Sequence, residues 1–257
     1  MNKSLATVLI SLIFSVGCGS SMGGDEDTSS TSQDIINGRI VVQDKIGTVG
    51  IVDWTAGTAC SATMLNPMWV LTAHHCVTNE SVTTGGTATN PFNVVVQLNL
   101  TAPFTTVQSI YLHPTLDVAL VYLTQPLGNF YNTFYQGSAK DLIGKDVYCE
   151  GWGENHFSYN ENALRWAWER VSQLDGNDYI LAPIVNDEID WHGDSGSSCF
   201  LTTTGQIVGV ASMGSANGTT VVGAWQVSAE YFRDWAMLVM NSDTVRDEEF
   251  SHKSLMP

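Results

Sequence analysis

The chain has 257 residues, of which 14% are charged, and its 10 Lys+Arg against 26 Asp+Glu leave a formal net charge of −16. That balance excludes a nucleic-acid binder, because phosphate contacts need Lys and Arg. The 23 glycines, the 44% apolar content and the shortage of helix-favouring charged residues argue for β structure in one large or two medium domains.

The N-terminus reads as an export signal: Lys3, an apolar run over 5–14, and small or apolar residues at 15–17 before Cys18. The run is too short to cross a bilayer as a permanent helix. It resembles a bacterial lipoprotein signal, with Ser15 where an aliphatic is usual. Cys18 is therefore a candidate for lipidation, and a membrane is expected only through that anchor. An ordinary secretory signal cut nearby is the alternative. Residues 19–34 are Gly, Ser, Thr and acid with little to bury, which predicts a disordered tether or propeptide. The other four cysteines, Cys60, Cys76, Cys149 and Cys199, allow three disulfide pairings in an oxidising compartment. Zinc is the competing use, but the spacing of Cys and His does not support it and no metal is expected.

From Ile35 onward, short strand-like runs alternate with turn-rich segments. Strands are expected over 48–53, 59–65, 69–73, 93–99, 106–113 and 118–123, then over 146–151, 163–172, 178–182, 197–202, 206–213 and 219–228. Trp166 and Trp168 illustrate the period of two, with Arg165 and Ala167 on the opposite face. Six strands, a linker over 124–145 and six more predict an all-β fold of two closed six-stranded antiparallel barrels, spanning about 35–125 and 140–228. Tyr231, Trp235, Leu238 and Val239 recur at helical spacing, predicting one C-terminal helix over about 229–240. Residues 241–257 read as a charged, flexible tail.

Three stretches carry chemistry. Gly193-Asp194-Ser195-Gly196 sets a serine in a glycine turn that can aim amide N–H groups at one point. Residues 69–76 form an apolar strand running into His74-His75-Cys76, and residues 113–123 place Asp117 at the mouth of another buried strand. Each alone has an ordinary structural reading. Together they supply what nucleophilic catalysis needs: a serine to attack, a histidine to take its proton, and an acid to hold the imidazole.

On these residues the chain resembles the chymotrypsin–trypsin family of serine peptidases, from Ile35 to about Met240. The order His, Asp, Ser is that family's and not that of the α/β-hydrolases. The family's Thr-Ala-Ala-His-Cys is met at 72–76 with His74 in place of the second Ala, which makes His75 the base and His74 a neighbour. The resemblance implies Asp117 and Ser195 as the other two members, with the oxyanion hole at the backbone N–H groups of Gly193 and Ser195. Ile35-Ile36-Asn37-Gly38 resembles the family's mature start. Cleavage before Ile35 is thus expected to free an α-amino group that pairs with Asp194, making the uncut chain a zymogen. The resemblance also implies the pairings Cys60–Cys76 and Cys149–Cys199. The second bridge is displaced from the family's positions by two residues on each strand, in compensating directions.

The resemblance places the specificity pocket at Ile189, Asp190, Ser212, Met213, Gly214 and Gly223. Ile189, six residues before the nucleophile, would favour apolar side chains, whereas Asp190 would favour Arg or Lys if it faced the pocket. Ser212 is a candidate partner for Asp117. The function expected is an exported serine endopeptidase acting through an acyl-enzyme on protein or peptide substrates. It would be a monomer needing no cofactor. Because Asp34 precedes the activation bond, an enzyme that cuts after Lys or Arg would not activate itself, so either another protease cuts there or the specificity is unusual. The alternatives are a catalytically silent binding protein and an esterase or peptide ligase on the same scaffold.

Overall fold

The computed structural model describes residues 35, 38–42, 44–78, 85–98, 103–153, 163–184, 188–190, 193–217 and 220–253. The expected signal and tether, Cys18, Ile36-Asn37 and Trp191-His192 lie outside the described residues.

The strands are β1 (Arg39–Ile40), β2 (Thr48–Asp53), β3 (Thr58–Met64), β4 (Trp69–Thr72), β5 (Val94–Gln97), β6 (Phe104–Leu112), β7 (Ala119–Leu123), β8 (Asp146–Gly151), β9 (Arg165–Asp175), β10 (Asp178–Pro183), β11 (Ser198–Leu201), β12 (Ile207–Asn217) and β13 (Thr220–Ser228), followed by helix α1 (Ala229–Lys253). Barrel one closes in the order β2-β3-β4-β7-β6-β5. Barrel two runs β9-β10-β13-β12-β11-β8 and closes through the pairing of β8 with β9. All twelve expected strands are present. β9 is legible by its alternation of buried and more exposed positions, whereas β4 and β11 are buried throughout and are legible as short apolar runs bounded by turns.

Two boundaries differ from expectation. The segment after Ile35 was assigned to barrel one, but β1 pairs with β9 of barrel two, Arg39 opposite Trp166 and Ile40 opposite Arg165. A two-residue strand has no period to read, so only the partner reveals it. The second correction concerns α1, which continues to Lys253 rather than giving way to a flexible tail at 241. Residues 241–253 contain neither Gly nor Pro; polar residues without a breaker prolong a helix that is already nucleated.

One apolar cluster runs from the interior of barrel one (Val49, Val70, Leu120) through Phe134, Phe200 and Ile207 to Phe232 and Ala236 on α1. The helix is fixed there by the edge-on contact of Phe232 with Phe134, 5.6 Å between ring centroids. The Arg233 guanidinium donates to the carbonyls of Tyr135 and Gly137. A second cluster fills barrel two with Leu142, Val147, Val171, Leu181 and Ile189. In the β8–β11 register Cys149 stands directly opposite Cys199, and the two are bonded with their Cα atoms 4.1 Å apart. Cys60 is bonded to Cys76. Of the three possible pairings, this is the one expected.

Candidate active site

The site lies where the two barrels meet, and each side chain arrives on a different element. His75 sits in a 3-10 turn, His74–Val77, that ends β4. The disulfide from Cys76 to Cys60 anchors that turn to β3. Asp117 is set in the tight turn before β7, closed by the bond from His113 N–H to the Val118 carbonyl (2.9 Å) and by the bond from Val118 N–H to the Leu116 carbonyl (2.8 Å). The two meet closely: His75 Nδ1 lies 2.8 Å from Asp117 Oδ2, and the His75 backbone N–H donates to Asp117 Oδ1 at 3.0 Å. Ser212 on β12 donates its hydroxyl to the same Oδ2 at 2.6 Å, as anticipated. A carboxylate accepts but does not donate, so Nδ1 carries the imidazole proton and Nε2 is left as the ring's basic nitrogen. Asp117 is only 5% exposed. Three donors replace the water it has lost.

The backbone of Ser195 comes to the same junction from barrel two. Its turn is held by Gly196 N–H to the Ala211 carbonyl and Ser197 N–H to the Asp194 carbonyl, both 2.8 Å. It is stitched to barrel one by the bond from Ser61 N–H to the Ser195 carbonyl (2.9 Å), and that carbonyl lies 3.7 Å from Cys76 Sγ, next to His75. Ser195 and His75 are both partly exposed. Gly193 and Gly196 adopt φ of +86° and +82°, a region that side chains disfavour. A Cβ at Gly196 would also strike Thr72 Oγ1 and the Ser61 carbonyl, with Ala73 N at 2.8 Å. The turn therefore approaches barrel one more closely than any other residue would permit.

Ile35 and Asp194 are both fully buried. The Asp194 carboxylate accepts the N–H of Gly153 at 3.0 Å, and it occupies the space that a side chain at Gly151 would need. Gly38 folds back on Ile35, donating its N–H to the Ile35 carbonyl (2.8 Å). Its own carbonyl accepts from Arg165 (2.9 Å).

The expected pocket residues separate. Ser212, Met213 and Gly214 follow one another along β12, with Met213 53% exposed. Ile189 is part of the barrel-two core. Asp190 is buried beside it, accepting from Gln226 Nε2 at 2.5 Å and donating its backbone N–H to Glu169 Oε1 at 3.1 Å. A Cβ at Gly223 would meet Ile180 Cγ2 at 3.0 Å, so that glycine also relieves packing against β10. Burial and the neighbouring Asp190 carboxyl push Glu169 well above the usual carboxylate range. Burial likewise pushes Asp190 up to about 7, against its hydrogen bonds from Glu169 and Gln226. The pair is best described as two carboxyls sharing a proton.

Sequence reasoning missed three participants. Glu169 reads as a polar residue alternating in a strand, and only barrel closure brings it to Asp190. The β9–β10 hairpin, Asp175 to Asp178, forms one wall of a cleft of about 320 Å³ whose other walls include Leu116, Asp117, Ser212 and Met213. Ser61 bonds both Gly193 and Trp152, and its residue type alone gave no signal. His74, the departure from the family motif, is buried behind the site. Desolvation lowers its pKa, opposed by the Asp117 charge and the backbone of His113. Two groups have metal-ligand proximity, Cys60-His75-Cys76 and Cys149-Asp190-Cys199. In both, the sulfurs are joined as disulfides and offer no thiolate.

This two-barrel fold with a serine turn at the barrel junction defines a class, the trypsin-like serine peptidases. The trypsin family profile matches residues 35–236, and the chain belongs to that family. An uncharacterised peptidase of Corynebacterium glutamicum strain R is 26% identical over 193 residues, covering 72% of this chain and 64% of that protein. A protein of C. glutamicum strain ATCC 13032 described as a putative peptidase is 28% identical over the same share of each. The match thus spans less than two thirds of the length of these relatives. Among solved structures, mouse neuropsin, a serine protease expressed in the limbic system of the brain, superposes with a TM-score of 0.64 at 17% identity. That match covers 80% of this chain and all of neuropsin, and it bears on the fold alone.

Proposed function

We propose that the chain is an exported endopeptidase that hydrolyses peptide bonds with Ser195, His75 and Asp117. The observation that carries this reading is the commitment of Asp117 to His75 through both its backbone N–H and Nδ1, which leaves Nε2 basic beside the serine turn. In the first step the Ser195 Oγ attacks the substrate carbonyl carbon while Nε2 takes the hydroxyl proton. The carbonyl oxygen becomes an oxyanion received by the N–H groups of Gly193 and Ser195. The imidazolium, stabilised by Asp117, returns the proton to the departing amine, leaving an acyl-enzyme. Water then repeats the sequence, giving a carboxylate product and free serine. The cleft beside Asp117 and Ser212 lies where the substrate chain would enter.

Cleavage before Ile35 is proposed to complete the site by supplying an α-amino partner to Asp194. The burial of both residues and the docking of Gly38 and Arg39 onto barrel two support this. The two disulfides support maturation in an oxidising compartment, consistent with export and with Cys18 as a lipid anchor. A fluorophosphonate probe is expected to label the chain cut before Ile35, and to label neither the uncut chain nor Ser195→Ala. Full labelling of the uncut chain would sink the zymogen reading. Absence of label after cutting would favour a binding protein on a peptidase scaffold.

A further inference from the structure

Within the peptidase reading, we infer that Ser61 is a positioning residue for the oxyanion turn, acting from the opposite barrel through its side-chain hydroxyl. Ser61 lies in the middle of β3, next to the Cys60–Cys76 bridge, and is fully buried. All of its polar groups are engaged. Its hydroxyl donates to the Gly193 carbonyl at 3.0 Å and accepts the Trp152 N–H at 2.8 Å. Its backbone N–H donates to the Ser195 carbonyl at 2.9 Å. Its carbonyl accepts from Thr72 Oγ1 at 3.0 Å. One residue of barrel one therefore holds the carbonyls on both sides of Asp194.

The backbone bonds exist for any residue at 61, but the hydroxyl contacts do not. Gly193 has φ +86° and no side chain to hold it, so the 193–194 peptide can rotate at little steric cost. Rotation would carry the Gly193 carbonyl away from β3 and change how the N–H groups of Gly193 and Ser195, joined through that peptide, are aimed relative to one another. A hydroxyl pinned on its other side by Trp152 N–H has its proton aimed at that carbonyl, which makes the bond directional. Gly153 N–H is meanwhile bound by Asp194. The 152–153 segment thus spans the gap between Ser61 and the acid of the same turn, coupling the two supports. Donors arranged in advance of the charge they stabilise need no reorganisation when it forms. A loosened turn should therefore weaken the transition state and spare ground-state binding.

The test compares wild type, Ser61→Ala and Ser61→Thr, each as the chain cut before Ile35. A chromogenic peptide chosen from a peptide-library digest serves as substrate. For Ser61→Ala, kcat is expected to fall about tenfold, the scale of one hydrogen bond, with KM within about twofold. Affinity for a peptide aldehyde, whose adduct places an oxyanion in the hole, should fall by the same factor. Ser61→Thr keeps the hydroxyl and should recover most of both losses. Unchanged kcat and aldehyde affinity in Ser61→Ala would overturn the inference. So would a loss in Ser61→Ala confined to KM, or equal loss in both variants, which marks packing and not the hydroxyl. If Ser61→Ala does not fold, Ser61→Gly takes its place with the same expectations. A wild-type chain that neither cleaves peptides nor takes a fluorophosphonate would fail the peptidase reading itself, a result separable from any difference among variants.

Discussion

The two barrels set some of their buried acids among different neighbours. In barrel one, Asp53 accepts the backbone N–H groups of Thr55 and Ala56, and Asp117 takes three donors from His75 and Ser212. Both acids are held by fixed donors, with Asp53 Oδ2 left without one. In barrel two, Glu169 and Asp190 face one another inside the core. Glu150 is buried too, against Tyr148 and Thr48, and burial pushes it up to about 7. These groups escape the desolvation cost by holding protons. A buried carboxyl can thus be tied down by several donors, or be pushed toward its protonated form by burial and a neighbouring acid.

The largest expected effect comes from removing the charge on the barrel-one side. Asp117→Asn should lower kcat by about 10⁴-fold, because an amide does not stabilise the imidazolium or fix its tautomer. The fold should survive, since an amide oxygen can still accept from His75 N–H. Burst kinetics with a chromogenic ester would measure this; activity within tenfold of wild type would remove Asp117 from the mechanism.

The disulfides compare the barrels as scaffolds. They close loops with sequence separations of 16 and 50, worth about 3 and about 4 kcal/mol on the chain-entropy model. Replacing Cys149 and Cys199 together by Ala should therefore cost more stability in denaturant than replacing Cys60 and Cys76. The second change should cost more activity, because the bridge adjoins His75 and Ser61. Equal activity losses would show that the bridges contribute only to stability.

The smallest expected effect is on the barrel-two pair. Glu169 has a folded pKa above its unfolded value, so the folded state holds the proton as pH rises through the ordinary carboxylate range while the unfolded state releases it. Stability should fall with rising pH across that window, and the penalty is complete above the folded pKa. Glu169→Gln should remove that slope, so its advantage over wild type should grow as pH rises from 4 to 8, with little gain at pH 4. Urea midpoints at several pH values read it. A variant less stable than wild type at pH 8 would mean that the pair is satisfied when charged.

Much of the fold was legible because its signals are local. β9 carries its own alternation, β4 and β11 are short apolar runs bounded by turns, and Ser195 and His75 lie in short motifs whose glycines and cysteine are neighbours in the chain. What could not be read was long-range. β1 has too few residues to show a period, and its partner β9 lies over a hundred residues away. Ser61 and Gly193 are separated by 132 positions. Asp190 was readable as a pocket acid until Gln226 and Glu169 appeared beside it. The helix end was misjudged because polarity resembles a tail, whereas termination needs a breaker.

By itself the sequence determined the period of the strands, the glycine turn at the nucleophile, and the residue types from which an acid–base–nucleophile set can be built. Those follow from backbone sterics and side-chain chemistry acting over a few residues. Only the tertiary structure decided which donors meet each buried acid, because barrel closure and register bring distant positions together. It is that placement which sets Asp117 against His75 and Asp190 against Glu169.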